Sequence, residues 1–297
     1  MPSIEHETLV SALLAAPAVT GTLSIADQRA AYDAMLLQNP LPDDVQFEPV
    51  TVAGCAAEWV SVPDTADTAA VVLYLHGGGY VIGSHVAYRE FAGRMARVTR
   101  SRLLVLDYRL APEHPFPAAV DDAVAAYHWL LENGTAAEQI FIAGDSAGGG
   151  LALATLLALR EAGTALPAGA VCLSPWTDLA GTGDSSQPGA VDDPLIGEGV
   201  LEGMRAQYAG DDLTNPLVSP HYGDFSGLPP LLILAGSREV LVDDARRLVQ
   251  QARAAGVRVD YFEGEGLIHV WPVVVANAPE SADAIDRVAA FTDSLRR

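Results

Sequence analysis

Cysteine, cationic side chains and long apolar runs are all in short supply in this 297-residue chain, and each shortage removes a class of protein. The two cysteines, Cys55 and Cys172, lie far apart with no His or Cys neighbour at metal-ligand spacing. That excludes a disulfide framework and a structural metal site, and fits reduced thiols in a cytoplasmic protein. Seventeen Lys plus Arg stand against 38 Asp plus Glu, a formal charge of −21. Such a particle repels nucleic-acid phosphates and anionic membrane surfaces, so neither is expected as a partner. A second copy of the chain is the one macromolecular partner left open. The longest apolar stretch follows Ser146 and stops at Arg160 and Glu161, short of a bilayer span. The run from Leu9 to Ala18 is apolar enough to imitate a signal core, but Glu5 and Glu7 occupy the place of a basic leader. It is expected to be a helix.

Half of the residues are apolar, enough for one large α/β domain. Residues 3–16 and 24–38 pattern as helices, the second opened by Ser24 with Asp27 three residues on. Two alternating runs, 47–52 and 58–62, predict half-buried antiparallel edge strands. From Ala70 the chain alternates buried strands (71–75, 103–107, 140–143, 170–173, 231–235 and 257–262) with amphipathic helices such as 118–131. Strict alternation of this kind makes a mostly parallel sheet covered on both faces. Two leading antiparallel strands and six parallel ones give eight. One interval breaks the rhythm: residues 180–226 are rich in Gly, Pro and Asp before a helical pattern over 197–208. A connection this long is usually functional. The expected organisation is therefore N-terminal cap helices over 1–45 and a catalytic domain over 46–297, with a cap insertion at about 180–226.

The chemistry centres on Gly144, Asp145, Ser146, Ala147 and Gly148, between a β-rich run and an Ala/Leu helix. A Gly-x-Ser-x-Gly turn in that context forces a serine out at a strand-to-helix corner. The glycines are needed because the corner is strained and side chains there would meet neighbouring backbone. A phosphate-binding loop is disfavoured, since Asp145 would repel an anion and no Lys-Ser/Thr pair follows. Ser146 is thus the candidate nucleophile. His76, Gly77, Gly78 and Gly79 directly follow the 71–75 strand. Gly77 and Gly78, with Ala147, are assigned as backbone N–H donors to a developing oxyanion. His269, after the last strand, is the candidate base. Glu239, closest to the end of the penultimate strand, is favoured as its carboxylate partner over Asp243, which with Asp244 sits a helical turn later.

Four motifs in this order resemble the hormone-sensitive-lipase-like family of bacterial carboxylesterases. They are the His76 to Gly79 loop, Asp107 to Glu113, Gly144 to Gly149, and Glu239 to Asp244. The resemblance implies an α/β-hydrolase fold with a helical cap, no cofactor or metal, and small short-acyl esters as substrates. It also implies that the segment from Asp107 to Glu113 is structural. Many members carry Asp where this chain has Glu239, and the pattern around Gly236 to Asp244 looks like a branch that hydrolyses monoterpene ε-lactones. A small-molecule ester or lactone is the expected partner. A non-catalytic small-ligand binder on the same fold, or an amidase on the same triad, is the competing reading; the retained triad speaks against the binder.

Overall fold

The computed structural model describes residues 1–15, 23–65 and 70–296. Two helices come first, α1 (Ile4–Ala15) and α2 (Ile25–Leu36). Ser24 caps α2 by accepting the Asp27 N–H at 3.1 Å, as the spacing of the two residues anticipates. Residues 16–18 of the apolar N-terminal run lie outside the described residues. Next come β1 (Gln46–Val52), β2 (Cys55–Ser61), β3 (Val71–Leu75), α3 (Arg89–Thr99), β4 (Arg102–Leu106), α4 (Ala118–Glu132), β5 (Ile140–Asp145), α5 (Ala147–Glu161) and β6 (Gly169–Leu173). The insertion carries α6 (Val200–Tyr208), and the chain then completes β7 (Leu231–Arg238), α7 (Val242–Ala254), β8 (Val259–Ile268), α8 (Trp271–Val274) and α9 (Pro279–Leu295).

The eight strands lie in the order β1-β2-β4-β3-β5-β6-β7-β8. The two leading strands pair antiparallel to one another, as expected. β2 is antiparallel to both β1 and β4, so β1 runs with the other six and β2 alone opposes them. A two-residue turn sets this up: Ala53 and Gly54 both take positive φ, the conformation that suits the twist of a tight hairpin. The last strand also continues to Ile268, beyond the expected residue 262, so that β7 and β8 extend together towards the site.

The central strands β3, β4, β5, β6 and most of β7 bury both of their faces, which is why these segments read as unbroken apolar runs. In β3, Val71, Leu73 and Leu75 enter a core shared with α4, α5 and α7, while Val72 and Tyr74 enter one shared with α3 and α9. The N-terminal helices add Val10 and Leu36 to this second core. Cys55 and Cys172 are both free and buried.

Helix α5 crosses closest to the sheet. A Cβ on Gly148 would lie 2.6 Å from the His76 carbonyl oxygen and closer still to that of Leu75, and one on Gly144 would strike the Gly148 carbonyl. Bare backbone is therefore required where β3, β5 and α5 meet. Gly148→Ala should cost about 3 kcal/mol or more, as overpacking against rigid backbone does, and lower Tm by roughly 5–10 °C. Gly203→Ala is the control. Gly203 lies in α6 with open space around its Cα, and should gain about 0.5–1 kcal/mol. Thermal unfolding of the two variants checks the contrast.

Candidate active site

Ser146 stands between β5 and α5 with φ 52° and ψ −121°. That region is unfavourable for a side-chain-bearing residue, and the surroundings hold it there. Its N–H donates to the Leu173 carbonyl at 2.8 Å, and its own carbonyl accepts from Trp176 at 2.9 Å and Gly150 at 3.1 Å. His269 follows β8 directly and sets Nε2 2.9 Å from Ser146 Oγ. Glu239 follows β7 directly and is fully buried. Its Oε2 lies 3.6 Å from His269 Nδ1, an ion-pair distance. The sheet itself makes this approach. The pairing of β7 with β8 shifts between Gly236 and Arg238, and a Cβ on Gly236 would collide with the Leu267 carbonyl. Glu239 Oε2 also accepts from Ser174 Oγ at 2.7 Å and from the Gly236 N–H at 3.2 Å.

Burial alone pulls the His269 pKa down, but the neighbouring Glu239 carboxylate outweighs it and holds the imidazole above its ordinary value. Burial raises the Glu239 carboxyl, opposed by His269 and Ser174. Asp243, the alternative acid, is engaged elsewhere: it accepts from the Ser185 N–H at 2.9 Å and pairs with Arg246 at 3.1 Å. Asp244 is buried and accepts the Thr177 and Asp178 N–H groups, each at 2.8 Å.

Of the three expected oxyanion donors, Gly77 requires correction. Its N–H is spent on Asp145 Oδ1 at 2.9 Å and on the Tyr88 hydroxyl at 3.1 Å. The next two glycines, Gly78 and Gly79, line the cavity beside Ser146, and neither N–H has an acceptor among the described residues. Ala147 is the first residue of α5, where N–H groups have no intrahelical partner. The engagement of Gly77 could be found only in three dimensions, because it depends on the acceptor that Asp145 supplies.

Asp145 is the junction of this loop with the elbow. It accepts from Gly77 N–H, from Tyr74 at 2.7 Å and from Tyr88 at 2.8 Å. The single hydroxyl proton of Tyr88 goes to Asp145, so Tyr32 of α2 must donate across its 2.8 Å contact with Tyr88. The segment from Asp107 to Glu113 braces the other side, in keeping with its expected structural role. Tyr108 stacks on His76 at 4.4 Å and donates to its carbonyl at 2.7 Å. Asp107 accepts the His85 N–H at 3.1 Å. His85 itself lies in the turn before α3. Glu113 takes a bidentate contact from Arg29 of α2.

A cavity of about 220 Å³ opens at Ser146 and His269. Tyr32 and Met35 of α2 line one side, and Leu195, Ile196, Val200, Leu201 and Met204 of the insertion line another. Among the described residues no Asp, Glu or Arg side chain lines it. Among the described residues no group of three or more His, Cys, Asp or Glu could hold a metal, and no helix is long and apolar enough to cross a membrane.

Asp145→Ala should leave the Tyr74 and Tyr88 hydroxyls without an acceptor and the Gly77 N–H with only its longer bond to Tyr88. At about 1–3 kcal/mol for each buried unpaired group, the loss should reach at least ~2 kcal/mol in urea unfolding. Asp145→Asn, which keeps one acceptor oxygen, should lose about half as much.

Comparison with known proteins identifies the fold and the family. The alpha/beta hydrolase fold family matches residues 72–273. An acetyl-hydrolase of Streptomyces hygroscopicus is 48% identical over 251 residues, covering 84% of this chain and 82% of that protein. An esterase of Acinetobacter venetianus is 32% identical over 97% of this chain and 95% of its own length. Among solved structures, an esterase from the bacterial hormone-sensitive lipase family superposes with a TM-score of 0.94 at 44% identity, with both chains covered completely. These similar proteins are named for ester hydrolysis, which favours neither the lactone-hydrolase branch nor a non-catalytic binder. The chain belongs to the α/β-hydrolase fold family and, within it, to the hormone-sensitive-lipase-like carboxylesterases, enzymes that hydrolyse carboxylic esters.

Proposed function

We propose that this chain is a serine carboxylesterase that cleaves small, short-acyl esters through an acyl-enzyme on Ser146. The observation that carries the reading is the 2.9 Å contact between Ser146 Oγ and His269 Nε2 at the mouth of an apolar cavity. His269 takes the Ser146 proton as Oγ bonds to the ester carbonyl carbon. The former carbonyl oxygen becomes an oxyanion, and the N–H groups of Gly78, Gly79 and Ala147 receive it. The intermediate then collapses, expelling the alcohol with the proton that His269 returns. Water enters and attacks the acyl carbon as His269 takes its proton; His269 then returns that proton to Ser146 Oγ as the acyl–oxygen bond breaks, which releases the acid and restores the serine. Glu239 stabilises the imidazolium in both halves. Protonation of the imidazole adds charge attraction across the 3.6 Å gap, so the ion pair is strongest when it is needed.

Residues 1–45 and the insertion at about 180–226 act in this reading as the cap, with α2 and α6 closing the cavity and excluding water from the developing charge. The cavity's size favours short acyl chains, in line with the acetyl-hydrolase among the similar proteins. Its uncharged lining favours neutral esters over those with a free carboxylate.

Hydrolysis of p-nitrophenyl butyrate by purified Ser146→Ala tests the assignment. The variant should fold as the parent does and lose activity by several powers of ten; more than a few per cent of residual turnover would move the nucleophile elsewhere. The pH profile is a second check. The neutral imidazole is the base, and its pKa is held above the ordinary value of about 6.5. The rate kcat/KM should therefore rise with pH through one ionisation above about 6.5 and vanish below it. A flat profile from about pH 5 to 9 would be incompatible with His269 as the base.

A further inference from the structure

We infer that Ser174, at the carboxyl end of β6, is a positioning residue that locks the acid and the base of the site into one unit. This inference rests on the reading of Ser146, His269 and Glu239 given above. Ser174 is fully buried and holds φ at 48°, in the left-handed region that favours glycine. The strain is held in place by its N–H, which donates to the Leu234 carbonyl of β7 at 2.7 Å. That conformation puts the hydroxyl between two loops distant in the chain. Ser174 Oγ donates to Glu239 Oε2 at 2.7 Å and accepts the N–H of Val270, the residue after His269, at 3.0 Å.

Proton counting fixes the direction of both bonds. The Val270 N–H can only donate, so the single hydroxyl proton of Ser174 must go to the carboxylate. The oxygen it holds, Oε2, is the one that faces His269 Nδ1. The other carboxylate oxygen, Oε1, has no hydrogen-bond partner among the described residues. Without Ser174, Oε2 keeps only the longer bond from Gly236 N–H at 3.2 Å, and the carboxylate is free to turn from the imidazole. The same loss frees the backbone that carries His269. Val270 also sits in the left-handed region, at φ 45°, so that backbone depends on its tether. A filler residue at this position would need volume only. The hydroxyl, used once as donor and once as acceptor between the two partners of one proton relay, argues for the positioning role.

The test compares Ser174→Ala and Ser174→Gly with wild type and with Ser146→Ala, using p-nitrophenyl butyrate across a pH series. The glycine variant suits φ 48° and removes only the side chain, so it reports on the hydroxyl even where the alanine variant folds poorly. Both should lower kcat by about 10- to 100-fold with KM within about twofold. The acid limb of kcat/KM should also move to lower pH by roughly half a unit or more. The direction follows from the groups that act on His269. Burial lowers its pKa, while Glu239, Asp193 and Asp145 raise it, and only Glu239 is released by the substitution. A merely structural serine would lower stability without moving that limb. A kcat within about twofold of wild type, or a limb that stays in place or moves up, would overturn the positioning role. Turnover surviving in Ser146→Ala would instead overturn the site on which the inference stands.

Discussion

At the start of α5 three backbones occupy the space that side chains fill elsewhere. The carbonyls of Leu75 and His76 from the β3 edge, the end of β5, and the first turn of α5 approach so closely that Gly144 and Gly148 cannot carry a Cβ. This contact fixes where Ser146 stands relative to the loop that begins at His76. Everything placed around the serine inherits that position. Ser146 can hold an unfavourable backbone conformation because its N–H and carbonyl are pinned to Leu173, Trp176 and Gly150. Ser146 and the glycine loop are thus set by close packing of the scaffold rather than by flexible side chains.

Asp145 converts that packing into chemistry. It is adjacent to the serine in the chain and adjacent in space to the glycine loop, and its three donors tie both to the protein interior. In the sequence it argues only against a phosphate site; in the fold it selects which N–H groups stay free, by consuming that of Gly77. The chain of hydroxyls through Tyr88 to Tyr32 then carries the same network to α2, a helix that lines the cavity. Linked hydrogen bonds of this kind polarise and stiffen one another. Helix α2 and the glycine loop therefore share one set of bonds.

Most of the architecture was legible in the sequence because buried parallel strands leave an unbroken apolar signature and glycine motifs mark forced backbone geometry. The order of elements, the elbow, and the ends of strands bearing Glu239 and His269 all belong to this class. Features set by partners remote in sequence were not legible. The direction of β1 depends on which strand lies beside β2, the extension of β8 on its pairing with β7, and the engagement of Gly77 on the side chain of Asp145. Ser174 shows the limit most clearly. It reads as the residue after a strand, and only the convergence of β6, β7 and β8 reveals that its hydroxyl joins Glu239 to Val270.

Charge is arranged to serve the same core. The chain has no lysine, so every one of its 17 basic side chains is a guanidinium. Several grip carboxylates with two nitrogens, a geometry an ammonium cannot match. Arg109 holds Asp122 beside the Asp107 to Glu113 segment, and Arg29 holds Glu113 while donating to the Val81 and Ala111 carbonyls. The carboxylate partner of Arg29 is half exposed, so its charge pairing contributes little stability by itself. Its directional value is greater, because the same guanidinium joins α2 to two loops flanking the glycines. Among the described residues the cavity lining holds no Asp, Glu or Arg, and its titratable members are His269 and Tyr32. A proton that leaves the serine has His269 as its nearest acceptor, and the buried Glu239 carboxylate is the reason the imidazole can hold it.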